Sequence, residues 1–258
     1  MLAAVSFDEP SGVACLELRS PETRNVLSEG MLEDLLSCVA TLRAVEGLRA
    51  LVISAAGRDF CLGGDPLELG TASRLPTEEA LALVTRQTTR LARFVSALYD
   101  LPVPIVAAIN GQAAGAGFAL ALLADIRVMG KNAKLNFAYS SLGLSTDAGM
   151  SWLLRRHVGE ARALRLLLNQ PVIRAQEALE MGLADLVCDR GNELDTALAH
   201  AAQIASRPMH GCLVAVSLLR REALDALKTS IDEEHQRFIA GFGLPDARNR
   251  LAGLASGF

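Results

Sequence analysis

A chain of 258 residues, 51% apolar and 21% charged, can bury a sizeable core and is not a disordered protein; its length allows one domain, or one domain with a helical appendage. A net charge of −4 with one Trp and two Tyr excludes a basic, aromatic nucleic-acid surface, although local arginines could still hold a polyanionic small molecule. The five cysteines (15, 38, 61, 188 and 212) form no C-x-x-C pair, and Met1–Val5 is no signal-peptide start, which together point to reduced thiols in a cytoplasmic protein.

In chain order, Leu2–Phe7 and Val13–Leu18 are apolar runs split by Glu9-Pro-Ser-Gly12, a predicted hairpin. Ser20–Asn25 is a loop. Ser28 is placed to cap a helix with Met31, Leu32, Leu35, Leu36, Val39 and Leu42 at helical spacing, ended by Gly47. Leu48–Ile53 reads as a buried strand. Ala56–Asp65 is too glycine-rich for a regular element, and Ser73–Pro76 reads as loose. Thr77 is expected to cap a long amphipathic helix, Glu78–Tyr99.

Leu101–Ala124 carries no charge, but Pro102, Pro104, Asn110, Gly111 and Gln112 break it, so a membrane span is rejected. Pro104–Ile109 predicts a strand, Asn110-Gly111 a turn in which both residues tolerate left-handed angles, and Phe118–Ala124 a helix after Gly115-Ala-Gly117. A glycine turn between strand and helix aims unpaired N–H groups at one point, as an oxyanion site requires. The same glycines also suit close helix–sheet packing, and this stretch alone does not separate the two readings. Gly111, Gly115 and Gly117 do not have dinucleotide-fingerprint spacing.

Ile126–Met129 follows as a strand and Asn136–Ser141 as a loop or short turn. Asp147 stands where a helix cap is expected, before Ala148–His157. Glu160–Leu168 and Arg174–Met181 read as helices and Gly182–Val187 as a short strand. From Glu193 the pattern is helical, broken at Pro208 and at Gly241–Pro245. Asp232-Glu-Glu234 reads as a solvated helix face, the four histidines as packed or surface residues, and no metal-ligand spacing is present.

Five stretches in order resemble the crotonase superfamily, the enoyl-CoA hydratase/isomerase family. They are Ser20–Ser28, Asp59-Phe-Cys-Leu-Gly-Gly-Asp65, Pro104–Asp125, Leu142–Trp152 and Ala178–Asp185. The resemblance implies an α/β fold, a spiral of ββα units over residues 1–190, and a C-terminal helical trimerisation region over residues 191–258. It implies a homotrimer or hexamer, and an acyl-CoA thioester whose coenzyme A is part of the substrate rather than a separate cofactor. The oxyanion donors would be the N–H groups of Gly64 and Ala116. Coenzyme A would lie along Leu62, Gly63, Gly64, Asp65 and Pro66, where Pro66 removes one N–H, with Arg24 near the phosphates. Arg24 is equally an ordinary surface arginine. Arg248 and Arg250 are the basic residues near the family's C-terminal Lys-Arg position.

Hydratases of this family use two glutamates, and at those positions this chain has Ala119 and Tyr139, neither of them a carboxylate. Asp147 matches the acidic residue of dienoyl-CoA isomerases, ring-epoxide isomerases and chlorobenzoyl-CoA dehalogenase, and Met150–Gly159 most resembles the phenylacetate-type isomerases. The resemblance therefore implies a double-bond isomerase with Asp147 as acid/base. Enoyl-CoA hydration, though disfavoured by the missing glutamates, dehalogenation, thioester hydrolysis, C–C cleavage and acyl-CoA binding without turnover stay open. Asp147 is also readable as a helix cap, and Tyr139 as a packed aromatic or a hydrogen-bond donor.

Overall fold

The computed structural model describes residues 1–254; residues 255–258, the end of the predicted C-terminal region, lie outside the described residues. The first sheet is built from β1 (Ala3–Asp8), β2 (Val13–Leu18), β3 (Ala50–Ala55), β4 (Ile105–Ile109), β6 (Ile126–Gly130) and β9 (Leu186–Cys188), side by side in that order. β1 and β2 are the expected antiparallel hairpin, and every later pair is parallel. Both faces are covered, which is why the central strands read as unbroken apolar runs. Leu51, Ile53, Ile105, Ala107 and Ile109 face the main core. Ala50, Val52, Val106 and Ala108 face the other way, onto Ala197, Ala201 and Ala205 of α8 (Glu193–Ala205).

The second sheet is small: β5 (Gln112–Ala114), β7 (Lys134–Asn136) and β8 (Ile173–Arg174). β4 runs into β5 and β6 into β7; β5 leads through Gly115 directly into a helix, and β7 leads to one through the longer segment 137–149. These are α4 (Ala116–Leu122) after β5 and α5 (Met150–Val158) after β7. Cys61, beyond β3, makes an isolated parallel bridge to Ala113 and so begins the same layer. This is the predicted ββα spiral.

Several expectations change. Neither Asn110 nor Gly111 has a positive φ. Gly111 is required because a Cβ there would overlap the Arg58 carbonyl. A helix absent from the sequence reading, α2 (Pro66–Arg74), follows the glycine-rich loop, with Asp65 Oδ1 accepting from the N–H groups of Leu67 and Glu68. Pro66 occupies its first position, where an N–H would be unpaired in any case. In α3 (Thr77–Tyr99) the cap position is Pro76, and Thr77 is instead the first helical residue, its hydroxyl accepting from Arg248 Nη1. α1 (Glu29–Ala44) is capped as expected, with Met31 N–H donating to Ser28 Oγ at 3.2 Å.

α6 (Glu160–Asn169) and α7 (Ala175–Met181) follow α5 in sequence. Beyond α8, α9 (Met209–Phe242) lies along α3 and buries Ala223, Leu227 and Ile231 in the main core, and α10 (Pro245–Leu254) lies against α2. No helix among the described residues is long and apolar enough to cross a membrane.

Candidate active site

The register of the second layer explains how two distant turns meet. Cys61 pairs with Ala113, and three residues beyond each lie Gly64 and Ala116. Paired strands run about 4.8 Å apart, so the turns that follow the pairing, one carrying Gly64 and the other Ala116, start as neighbours. Ala114 N–H donates to the Cys61 carbonyl at 2.9 Å and Leu27 N–H to the Gly63 carbonyl at 2.7 Å, which pins the loop. Gly63 has φ +80°, and a Cβ there would sit 2.6 Å from the Ala114 carbonyl oxygen and 3.0 Å from Ala116 N. Gly115 turns the chain with φ +52°, and Gly117 lies too close to the Cys61 carbonyl to carry a side chain. Among the described residues neither Gly64 N–H nor Ala116 N–H donates to a protein acceptor.

Both amides border a cavity of about 580 Å³ with walls that include Leu27, Leu91, Leu142, Leu144 and Phe238. Asp147 and Tyr139 border the same cavity, and Tyr139 OH donates to Asp147 Oδ1 at 2.9 Å. The Tyr139 hydroxyl also lies 4.0 Å from where a Cβ on Gly115 would be, at the entrance to α4. Asp147 is 9% exposed, and its pKa is pushed up to about 7, first by burial and then by the charge of Glu234, against the hydrogen bond from Tyr139. Burial likewise holds the Tyr139 phenol well above its ordinary value, with Asp147 adding to the effect.

Asp147 does not cap α5. The cap position belongs to Gly149, and the helix end is satisfied by Glu234 of α9. Glu234 is 6% exposed, so the reading of residues 232–234 as a solvated face holds for Asp232 and Glu233 and fails for Glu234. The missed signal is periodic: Leu227, Ile231, Glu234, Phe238 and Phe242 form one buried stripe of α9. Another missed carboxylate on the cavity is Glu68 in α2, which accepts from Glu29 N–H at 3.2 Å and Gln87 Nε2 at 2.7 Å; burial raises its pKa.

Of the other predicted residues, Leu62 and Asp65 border the cavity, and Gly63 and Arg24 do not. Arg24 Nε pairs with Asp59 Oδ2 at 2.7 Å and its Nη2 donates to Gln112 Oε1 at 3.3 Å, while its neighbours Glu22 and Thr23 do reach the cavity. Arg248 binds the Ser73 and Leu75 carbonyls, and Arg250 pairs with Asp246. Ala119 is fully buried in α4. Among the described residues no three His, Cys, Asp or Glu side chains are grouped to hold a metal ion.

The sequence profile of the enoyl-CoA hydratase/isomerase family matches residues 8–250. The chain is 34% identical over 223 residues to the 1,2-epoxyphenylacetyl-CoA isomerase of Escherichia coli K12, covering 86% of this chain and 84% of that protein. It is 38% identical over 179 residues to a "Probable enoyl-CoA hydratase" of Rhodobacter capsulatus, covering 69% and 66%. The crystal structure of an enoyl-CoA hydratase/isomerase from Mycobacterium paratuberculosis superposes with a TM-score of 0.86 at 26% identity, covering 98% of each chain. With its crotonase-type spiral and a profile match over almost its whole length, the chain belongs to the enoyl-CoA hydratase/isomerase family.

Proposed function

We propose that this protein is an acyl-CoA double-bond isomerase in which Asp147 is the single acid/base and the amides of Gly64 and Ala116 hold the thioester oxygen. The observation that carries this reading is a buried carboxylate, its pKa pushed up to about 7, on the same cavity as Gly64 and Ala116, whose N–H groups have no acceptor among the described residues. Ala119 and Tyr139 stand at the positions where hydratases of the family carry glutamates, which supports isomerisation over water addition. The relationship to the Escherichia coli isomerase supports it further.

In this mechanism the Asp147 carboxylate removes a proton α or γ to the thioester. The C–H electron pair moves through the conjugated system onto the carbonyl oxygen, where the two amides meet the developing charge. Asp147, now protonated, returns the proton at the other end of the dienolate, and the double bond has moved with no change in mass. A preorganised amide of this kind is worth about 3 kcal/mol of barrier. A pKa near 7 leaves Asp147 able to accept and return a proton at neutral pH. Tyr139 OH, which donates to Asp147 Oδ1, stabilises the carboxylate before the first transfer and after the second.

Incubating the protein with a panel of unsaturated acyl-CoA thioesters in D2O tests the reading. Isomerisation gives a product shifted in double-bond position, with at most solvent deuterium incorporated and no water added. Hydration, which the Rhodobacter relative's name favours, gives a product heavier by one water and would replace this reading. Exposed Leu164, Leu168, Val172, Leu218 and Leu219 support the further proposal of a homotrimer or hexamer, which light scattering decides.

A further inference from the structure

We propose that Glu234, carried on α9 far from Asp147 in sequence, is the positioning residue that fixes the place of Asp147 in the cavity and tunes its acidity. The inference rests on Asp147 being the acid/base of the reaction proposed above.

Glu234 grips the chain on both sides of Asp147. Its Oε2 accepts from Gly149 N–H at 2.7 Å, and its Oε1 from Ser151 N–H at 2.8 Å, Thr146 Oγ1 at 3.0 Å and Ser151 Oγ at 2.5 Å. Two backbone amides and two hydroxyls converging on one carboxylate suit an anion, and they leave few routes to satisfy these donors if it is removed. The loop they hold does not rest in an ordinary conformation. Ala148 has φ +57° and Gly149 φ +76°, and a Cβ on Gly149 would press to 2.5 Å from Leu227 Cδ1 of α9. The turn that presents Asp147 is therefore moulded against α9, and Glu234 is its polar fastening.

The same group acts on Asp147 through charge. The ionisable groups bearing on Asp147 are Tyr139, whose hydroxyl favours the carboxylate, and Glu234, whose charge opposes it. Cations on neighbouring elements are engaged elsewhere: Arg156 stacks on Trp152, Arg220 pairs with Asp125, Arg248 binds the carbonyls near residue 75, and Arg250 pairs with Asp246. Arg155 of α5 borders a separate surface cavity together with Glu160 and Glu233. On α9 itself His235 adjoins Glu234, with its buried Nδ1 lacking a partner. No Lys, Arg or His nitrogen of the described residues pairs with either carboxylate, so the two buried acids repel across the loop.

The test uses the full-length protein and the variants E234Q, S151A and D147N. Asp147 is titrated by 13C carboxyl NMR, with D147N identifying its signal, and kcat and KM are measured on the acyl-CoA that the parent turns over. In E234Q the Asp147 titration and the acidic limb of kcat/KM are expected to move down by about one pH unit, with kcat reduced about 10-fold and KM nearly unchanged. In S151A, which loosens the grip but keeps the charge, kcat is expected to fall less and the limb to stay in place. Loss of thermal stability with an unmoved titration and unchanged kcat in both variants would overturn the proposal. If E234Q does not fold, S151A decides: a lower kcat at unchanged KM supports the grip, and an unchanged kcat overturns it. A parent without isomerase activity refutes the proposed function alone, because the NMR titration needs no substrate.

Discussion

On one side of the cavity Gly64 and Ala116 offer only main-chain N–H groups, each set three residues past a paired strand position. Elsewhere on the cavity Asp147 and Tyr139 offer side chains, with Asp147 on a loop that Glu234 of α9 holds at Thr146, Gly149 and Ser151. The backbone half is fixed by the sheet register and tolerates no Cβ at residues 63 and 117. The side-chain half rests on a buried carboxylate network that works against the stability of the fold. In the proposed mechanism the thioester would thus be polarised by backbone held in the sheet register, and the proton moved by a carboxylate whose charge is costly to bury.

This contrast can be broken at either half. The largest effect is expected for Asp147→Asn, which should lower kcat about 10^3- to 10^4-fold while leaving acyl-CoA binding intact by calorimetry. The same variant should be more stable than the parent near pH 8. Asp147 titrates at about 7 in the fold against 3.8 unperturbed, so its ionisation costs stability that is absent at low pH and grows as pH rises between those values. The gain in melting temperature should vanish near pH 4. Next comes the backbone half: Gly63→Ala forces a side chain against Ala116 N and the Ala114 carbonyl, and should lower kcat/KM about 10^2- to 10^3-fold, with an unchanged acidic limb of the pH profile.

A smaller effect is expected for Tyr139→Phe. Losing the hydroxyl that stabilises the carboxylate should push the acidic limb of kcat/KM upward, opposite in direction to E234Q, with activity near the parent's once pH is raised. The smallest is Ser28→Ala, which removes the cap of α1 and should cost about 1 kcal/mol of stability by denaturant unfolding, with kcat unaffected.

The turns of the backbone half are legible in the sequence because glycine is informative wherever the chain must turn sharply or approach closely, and Gly63, Gly64, Gly115 and Gly117 lie in two short runs, while their reading as an oxyanion site comes from the family resemblance. Gly111 occupies the expected turn for another reason: crowding by Arg58, rather than a left-handed φ, demands glycine there. The acid half was legible only as a single residue. Asp147 looks like a helix cap because it precedes a helix, and nothing local reveals that a glutamate 87 positions later takes that task. The three acids at 232–234 read as solvated since charge runs usually are, although the stripe through Leu227, Ile231 and Phe238 passes through Glu234. α2 is hidden in the sequence because Asp65-Pro66, a helix start, reads as the tail of a glycine loop.

That α9 supplies both Phe238 to the cavity wall and Glu234 to the acid loop, while α8 roofs the far face of the main sheet, bears on how this protein can be cut. A fragment ended near residue 190 would uncover Val52, Val106 and Val128 and release the turn holding its acid. Protein engineers seeking a minimal catalyst from this scaffold should graft new specificity onto the helices around residues 66–99 and leave the tail whole.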